Sequence, residues 1–140
     1  MKKLKTGILG LLIIWFSFGF AMADAVIIVN KKLTEASVTK TDVKRIYLGR
    51  KQKWTDNSPI HPAMLKGGAV HEDFLNEYIE KTAQTFSLFW KREIVSGTGL
   101  PPKSFDTEAE LVNFVSTTDG AIGYISTDTP SNSVKVISAE

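Results

Sequence analysis

Apolar residues follow two different spacings along this chain. The continuous run Ala25–Val29 is rich in β-branched residues and predicts a strand buried on both faces, as in an α/β sheet. Two later segments, 70–80 and 85–95, carry apolar residues at helical spacing. They predict two consecutive amphipathic helices, with apolar stripes formed by Phe74, Leu75, Tyr78 and Ile79 in the first and by Phe86, Phe89, Trp90 and Ile94 in the second.

Three further segments predict strands. The turn-rich stretch Trp54–Pro59 leads into a short extended piece around Ile60. Asp119-Gly120 forms a turn ahead of the apolar run Ala121–Ile125, and Val134–Ile137 follows as a last strand. Strands and helices in this order predict one mixed α/β domain.

Capping residues mark two more helices. Thr39 precedes Asp42 at the spacing of an N-cap and its N3 residue, and Gly49 is suited to the left-handed residue that ends a helix. Thr107 and Glu110 have the spacing of a capping box. The predicted buried stripe of the first helix consists of Val43, Ile46 and Tyr47, and that of the second consists of Leu111, Phe114 and Val115.

The first 23 residues have the pattern of a secretory signal. Three lysines within the first five residues precede an apolar run over 8–20, and Ala21-Met22-Ala23 then supplies a small-x-small cleavage site. The run is shorter than the roughly 20 residues that span a bilayer, which disfavours the alternative of an uncleaved anchor. We therefore expect a signal peptide over 1–23, a periplasmic protein, and a mature domain over 24–140 that does not span a membrane.

Composition and charge exclude several function classes. The chain has 140 residues, of which 43% are hydrophobic and 23% charged, which is typical of a globular domain. The absence of cysteine excludes disulfides, thiolate metal sites and cysteine nucleophiles. Residues 24–140 hold all 15 acidic side chains and 14 of the 17 basic ones, so the expected mature form has a formal charge of −1. This overall charge gives no support to bulk electrostatic attraction to nucleic acid or anionic lipid, which needs a clear positive excess.

Several separated segments resemble the phosphate-binding proteins of bacterial phosphate ABC importers. The similarity extends from Val26 to about Ile137, and its most specific parts are Ile46–Lys51 with Trp54-Thr55-Asp56, and Gly120-Ala121-Ile122-Gly123-Tyr124. The resemblance implies a single lobe similar to a type II periplasmic-binding-protein domain, with a mixed sheet flanked by helices. It also implies phosphate or another small oxyanion as ligand and an ABC permease, or another periplasmic protein, as partner.

The resemblance places the family's anion-binding loop over Met64–Val70. That loop has the form R-S-D-G-S-G-T before a helix, where hydroxyls, amides and the helix N-terminus hold the oxyanion. Only Gly67 matches here, and Met64 stands in place of the arginine. Lys66, Gly67 and Gly68 remain candidates for a weak anion nest, with a solvated turn as the alternative.

Two other groups of residues are candidates for anion binding. Ser96, Gly97 and Thr98 offer hydroxyls and amides just after Lys91 and Arg92, although a helix C-terminus repels anions and a helix cap is the alternative. A basic cluster lies near Tyr47 and Trp54, with a solvated helix end as its alternative. It consists of Lys44, Arg45, Arg50, Lys51 and Lys53.

The sequence disfavours an enzyme. His61 and His71 are the only histidines, and no HExxH, GxSxG or phosphate-loop motif is present. A metal site built from His71, Glu72 and Asp73 is disfavoured because adjacent helical positions point in different directions. We predict no catalytic residue, metal or cofactor.

Two function classes remain open. A single lobe cannot close around a ligand, so the first is a phosphate-binding-protein-like domain whose oxyanion binding is weak, or is completed by a partner or by a second copy in a homodimer. The second is a periplasmic interaction or regulatory module that has lost ligand binding.

Overall fold

A computed structural model describes residues 24–140, and the predicted signal peptide lies outside the described residues. The fold is one six-stranded sheet flanked by helices, which confirms the predicted mixed α/β class. The strands are β1 (Ala25–Val29), β2 (Ser37–Val38), β3 (His61–Leu65), β4 (Lys103–Phe105), β5 (Ala121–Ser126) and β6 (Lys135–Ala139). The helices are α1 (Lys40–Tyr47), α2 (Ala69–Phe74), α3 (Ala83–Ser96) and α4 (Glu108–Thr117), and α2 continues into a π-helical turn over Leu75–Ile79.

The strand order is β2-β6-β1-β5-β3-β4, with a single strand running against the rest. Strand β1 is antiparallel to both β5 and β6, whereas β3 is parallel to β4 and β5, and β2 is parallel to β6. The carboxyl ends of β3, β4 and β5 therefore lie along one edge of the sheet, which we call the carboxyl edge. In open α/β sheets, ligands bind at such an edge.

The core lies on both faces of the central strands. Ile28 and Val29 of β1 are fully buried, as are Ile122 and Tyr124 of β5, so the prediction of a strand buried on both faces is confirmed. Gly123 allows α4 to pack closely on β5, because a Cβ atom there would lie 2.6 Å from Leu111 Cδ2. This glycine therefore has a packing role in the described fold.

The predicted helix caps are confirmed, except that the Glu110 carboxylate accepts from the Asp106 amide (3.3 Å) and not from the Thr107 amide that a capping box requires. The Thr39 hydroxyl accepts a hydrogen bond from the Asp42 amide (3.0 Å) at the start of α1. The Thr107 hydroxyl accepts one from the Glu110 amide (3.2 Å) at the start of α4. Gly49 adopts the left-handed conformation just after α1. Short-range side-chain chemistry thus fixes these helix ends.

The structure differs from the sequence predictions in four places. Strands β2 and β4 are present where no strand was predicted. Met64 belongs to β3, so the predicted loop over Met64–Val70 is wrong at both ends and shrinks to Lys66–Gly68 before α2. The helix predicted over 70–80 changes to a π-helical turn after Phe74. Ile94, placed on the apolar stripe of α3, is 54% exposed.

The loop before β5 is held by the Trp54 indole. Its Nε1 donates a hydrogen bond to the Gly120 carbonyl oxygen (2.9 Å), and the ring is buried. Gly120 has a φ of 76°, and a Cβ atom there would lie 2.3 Å from the Pro59 carbonyl oxygen. Trp54 therefore lies in the core, as its aromatic area predicts. Within residues 24–140, no helix has the length and apolarity needed to cross a bilayer.

Candidate functional site

The loop Lys66–Gly68 connects the carboxyl end of β3 to the N-terminus of α2. Gly68 is the N-cap residue with a φ of 99°, and no side chain caps the helix. A helix leaves its first amide groups without intrahelical acceptors, so the start of α2 presents N–H groups at the carboxyl edge. A Cβ atom on Gly67 or Gly68 would meet nothing within 4 Å, so the loop is open to solvent on this side. The backbone here is suited to a small anion.

A buried hydrogen-bond network lies directly behind this loop. The Leu65 amide donates a hydrogen bond to the Tyr124 hydroxyl oxygen (2.9 Å), and the same hydroxyl contacts Nδ1 of His71 in the first turns of α2. Because the oxygen already accepts a hydrogen bond, its proton is available for the unprotonated Nδ1 of a neutral imidazole. The network thus ties β3, β5 and α2 together beneath the Lys66–Gly68 loop.

Burial keeps both members of this network uncharged. His71 is 5% exposed, and desolvation lowers the pKa of its imidazole below the usual value, although the neighbouring Glu72 carboxylate partly opposes this shift. Desolvation raises the pKa of Tyr124 well above the usual value for a phenol. The Tyr124 ring stacks on Phe74 with centroids 3.8 Å apart, which fixes the position of its hydroxyl. These groups therefore position the loop and contribute no charge to it near neutral pH.

The single cation of the loop is already paired. Lys66 Nζ lies 3.1 Å from Asp106 Oδ1, and both side chains are largely exposed. The Lys66 amide also donates to the Phe105 carbonyl oxygen (3.0 Å), which holds the loop against the end of β4. An incoming oxyanion would have to share Lys66 with Asp106, so the attraction that this side chain provides is weak.

Other carboxylates at the carboxyl edge are occupied by backbone groups. Asp73 accepts a hydrogen bond from the Ala25 amide (2.9 Å), and Glu108 accepts bonds from the Ser126 amide (2.5 Å) and the Thr129 hydroxyl (3.0 Å). These carboxylates fasten the ends of β1 and β5.

The second predicted group, Ser96, Gly97 and Thr98, forms the C-terminal cap of α3. Gly97 is the left-handed cap residue with a φ of 71°. The Ser96 hydroxyl donates to the Glu93 carbonyl oxygen (3.1 Å), and the Thr98 hydroxyl donates to the Glu93 carboxylate (2.5 Å). The hydroxyls therefore serve the helix end, as the capping alternative predicts.

The two predicted groups are not brought together. Thr98 precedes the start of β4, whereas Lys66 follows the end of β3, and these two strands are parallel. The groups therefore adjoin opposite ends of the same pair of strands. Only Lys66, Gly67 and Gly68 lie at the carboxyl edge.

The basic cluster after α1 is largely neutralised by carboxylates. Lys44 pairs with Glu80 (2.9 Å), Lys51 with Asp42 (3.1 Å), Arg45 with Asp42 (3.8 Å) and Arg50 with Glu93 (3.7 Å). Four of the five cations thus have an acidic partner, which favours the solvated helix end over a polyanion site.

The described residues hold no group of three or more His, Asp or Glu side chains arranged to bind a metal ion. The histidine and acidic residues at the start of α2 have separate partners. His71 contacts Tyr124, and Asp73 binds the start of β1.

Comparison with solved structures identifies the fold. The chain matches a protein from Clostridium perfringens described as a phosphate ABC transporter substrate-binding protein with bound phosphate, with a TM-score of 0.63 and 20% identity over 81% of this chain. It matches PstS from Borrelia burgdorferi with a TM-score of 0.62 and 17% identity over 84% of the chain. A phosphate transport receptor from Vibrio cholerae matches with a TM-score of 0.55 and 16% identity over 81%. The chain has the fold of a phosphate-binding-protein domain.

The match covers less than half of each of these proteins. This chain spans 44% of the Clostridium perfringens protein, 47% of the Borrelia burgdorferi protein and 45% of the Vibrio cholerae protein. No protein-family model matches the sequence, and no curated protein matches it either. The structural matches therefore confirm the fold that the sequence resemblance implied. Because the identities are only 16–20%, they establish the fold and nothing further.

Sequence reasoning missed the roles of Tyr124 and His71. Tyr124 lies in the segment Gly120–Tyr124 that carries the resemblance, but its hydroxyl partners are 53 and 59 residues away along the chain. One signal was present in the sequence: a lone histidine beside an apolar helical stripe needs a polar partner if it is buried.

Proposed function

We propose that this chain is an exported domain, similar to the substrate-binding proteins of phosphate ABC transporters, that binds phosphate or a related oxyanion weakly or with the help of a second protein surface. The observation that carries this proposal is the uncapped N-terminus of α2 behind Lys66–Gly68, at the carboxyl edge of a phosphate-binding-protein fold. It assigns the protein to transport or sensing of a small anion in the periplasm and to no enzymatic activity.

Weak binding follows from the charges around the loop. The exposed amides at the start of α2 favour an anion, and Lys66 adds one positive charge. Asp106 neutralises part of that charge at 3.1 Å. In the proposal, a second surface supplies the further hydrogen-bond donors, from an ABC permease, another periplasmic protein or a second copy of this chain. Closure between two surfaces excludes water and strengthens the hydrogen bonds to the anion.

Isothermal titration calorimetry with inorganic phosphate tests the proposal on residues 24–140. We expect binding weaker than micromolar, and about threefold weaker binding in Lys66→Ala, which loses an exposed cation that the anion shares with Asp106. Gly68→Val should also weaken binding, because its side chain forces a strained φ at the helix start. Lys53→Ala is the matched control, since Lys53 is an exposed lysine outside the loop. Sub-micromolar one-to-one binding by a monomer would show that the chain needs no second surface.

The alternative is an interaction or regulatory module that kept the fold and lost the ligand. The ion pair between Lys66 and Asp106 favours it, because this pair occupies the loop's cation without a ligand. This alternative predicts no heat with phosphate, sulfate or molybdate, and retention of a periplasmic protein in a pull-down that Lys66→Ala leaves unchanged.

A further inference from the structure

Exposed apolar side chains are concentrated between the middle of α3 and the residues just after its end. Five large apolar side chains are exposed in residues 24–140, and four of them lie between positions 88 and 100. Scattered single apolar residues are normal on a protein surface, whereas a cluster marks an interaction site. We call this cluster the α3 tip, and it consists of Leu88 (43% exposed), Ile94 (54%), Val95 (89%) and Leu100 (89%).

The α3 tip forms because α3 buries very little of its surface. Only Phe86 and Trp90 are buried among its 14 residues, and Trp90 Nε1 donates to the Tyr47 carbonyl oxygen (3.1 Å). After Trp90 the helix extends for another turn and a half and ends at Gly97 in the left-handed conformation. Val95 therefore lies just before the end of the helix and Leu100 just after it, and both are 89% exposed.

Two exposed cations, Lys91 and Arg92, lie about one helical turn before Val95 of the α3 tip. Between residues 81 and 105 the only acidic side chain is Glu93, whereas four are basic, in a described chain whose formal charge is −1. Glu93 is itself engaged by Arg50 (3.7 Å) and by the Thr98 hydroxyl. The four cations of this segment are Lys81, Lys91, Arg92 and Lys103.

A groove of about 400 Å³ runs beside the α3 tip. The half-buried Phe89 ring contributes to its lining, with Arg50 and Lys81 each placing their charge 5.9 Å from the ring centroid. Arg92 and Glu93 line the groove as well, and the Glu93 carboxylate is paired with Arg50 (3.7 Å). Cations held beside an apolar surface in this way are suited to anionic headgroups.

We propose that the α3 tip binds the surface of an anionic lipid bilayer. Val95 and Leu100 insert among the acyl chains, while Lys91 and Arg92, about one helical turn before Val95, remain at the level of the phosphate headgroups. This arrangement is that of an interfacial element, with apolar side chains deepest and cations behind them. Side chains that protrude in this way can insert into a bilayer, which needs no preformed binding pocket.

Charge complementarity favours an anionic bilayer over a second copy of the chain as the partner of the α3 tip. A two-fold interface through the α3 tip would bring Lys91 and Arg92 close to the same residues of the other copy, which is unfavourable. An anionic membrane offers the opposite charge to all of these side chains.

Vesicle sedimentation tests the proposal on residues 24–140, which contain every strand and helix described above. Vesicles of equal parts phosphatidylglycerol and phosphatidylcholine should retain the protein, and vesicles of phosphatidylcholine alone should retain much less. Val95→Ser/Leu100→Ser should lower the partition coefficient at least tenfold, because it removes two inserting side chains. Lys91→Gln/Arg92→Gln should lower it roughly tenfold, and salt should abolish that difference.

Val136→Ser is the matched control, because Val136 is 50% exposed on β6, outside the α3 tip, and its loss should leave binding unchanged. The substituted side chains of the α3 tip are exposed, so circular dichroism should show an intact fold. No retention by anionic vesicles, or retention that the Val95/Leu100 variant leaves unchanged, would overturn the proposal. So would self-association in sedimentation velocity that this variant abolishes, since a second copy would then cover the α3 tip.

Discussion

Replacing Tyr124 with phenylalanine removes a single oxygen atom from the centre of the buried network. The ring keeps its stacking on Phe74, with centroids 3.8 Å apart, so no large cavity forms. The lost hydroxyl leaves the Leu65 amide without its acceptor and His71 Nδ1 without its partner. The substitution therefore isolates the hydrogen bonds of Tyr124 from its packing.

The expected loss is large for so small a change. Each buried polar group left without a partner costs about 1–3 kcal/mol, so two such groups lower the free energy of unfolding by about 2–6 kcal/mol. The whole free energy of unfolding of a small domain is only about 5–15 kcal/mol. The variant should fold, with a midpoint of thermal unfolding lowered by about 10 °C.

Urea unfolding followed by circular dichroism measures this loss, with Tyr78→Phe as the matched control. Tyr78 is also nearly buried, at 8% exposure, but its hydroxyl reaches solvent and has no hydrogen-bond partner within residues 24–140. The control should change stability by no more than about 0.5 kcal/mol. Equal losses in the two variants would show that the Tyr124 hydroxyl contributes nothing beyond its ring.

Three further changes test the described fold. His71→Gln should flatten the pH dependence of the free energy of unfolding. Burial lowers the pKa of His71 in the folded protein, so the unfolded chain takes up the proton first as the pH falls, and the parent should lose stability below about pH 6.5. Urea unfolding at several pH values should show a smaller loss in the variant. Gly120→Ala should lower the free energy of unfolding by more than about 2 kcal/mol, because its Cβ atom would lie 2.3 Å from the Pro59 carbonyl oxygen. Gly97→Ala is the control: Gly97 has a similar φ but open space around it, so the same urea assay should show a loss of only about 1–2 kcal/mol. Thr107→Ala should lower the unfolding temperature by an amount that corresponds to about 1 kcal/mol, and Thr107→Ser should restore it.

Features set by neighbouring residues could be predicted from the sequence. The caps at Thr39 and Thr107 depend on partners three positions away, and the β1 run depends only on its own five residues. Strands β2 and β4 have two and three residues, which is too short for an alternating pattern, and they form because β6 and β3 supply their hydrogen bonds. These two strands therefore depend on pairing with residues distant in the sequence, and their own residues do not predict them.

The candidate site was predictable in part for the same reason. Lys66–Gly68 could be found as a glycine-rich turn before a helix, but its boundary depends on the pairing of Met64 with Ser104, some 40 residues later. The charge balance of the loop depends on Asp106, which reaches Lys66 only through the parallel pairing of β3 and β4. Neither contact leaves a local pattern in the sequence.

The position of β1 has a consequence for how the chain folds. This strand is the first to be synthesised, yet both of its neighbours come last: Ala25 pairs with Ser126, and Ile27 pairs with Ile137. The middle of the sheet therefore cannot assemble until almost the whole polypeptide is available, and such distant pairing makes folding slow. During synthesis the central strand therefore remains without either of its sheet partners until the last strands have been made.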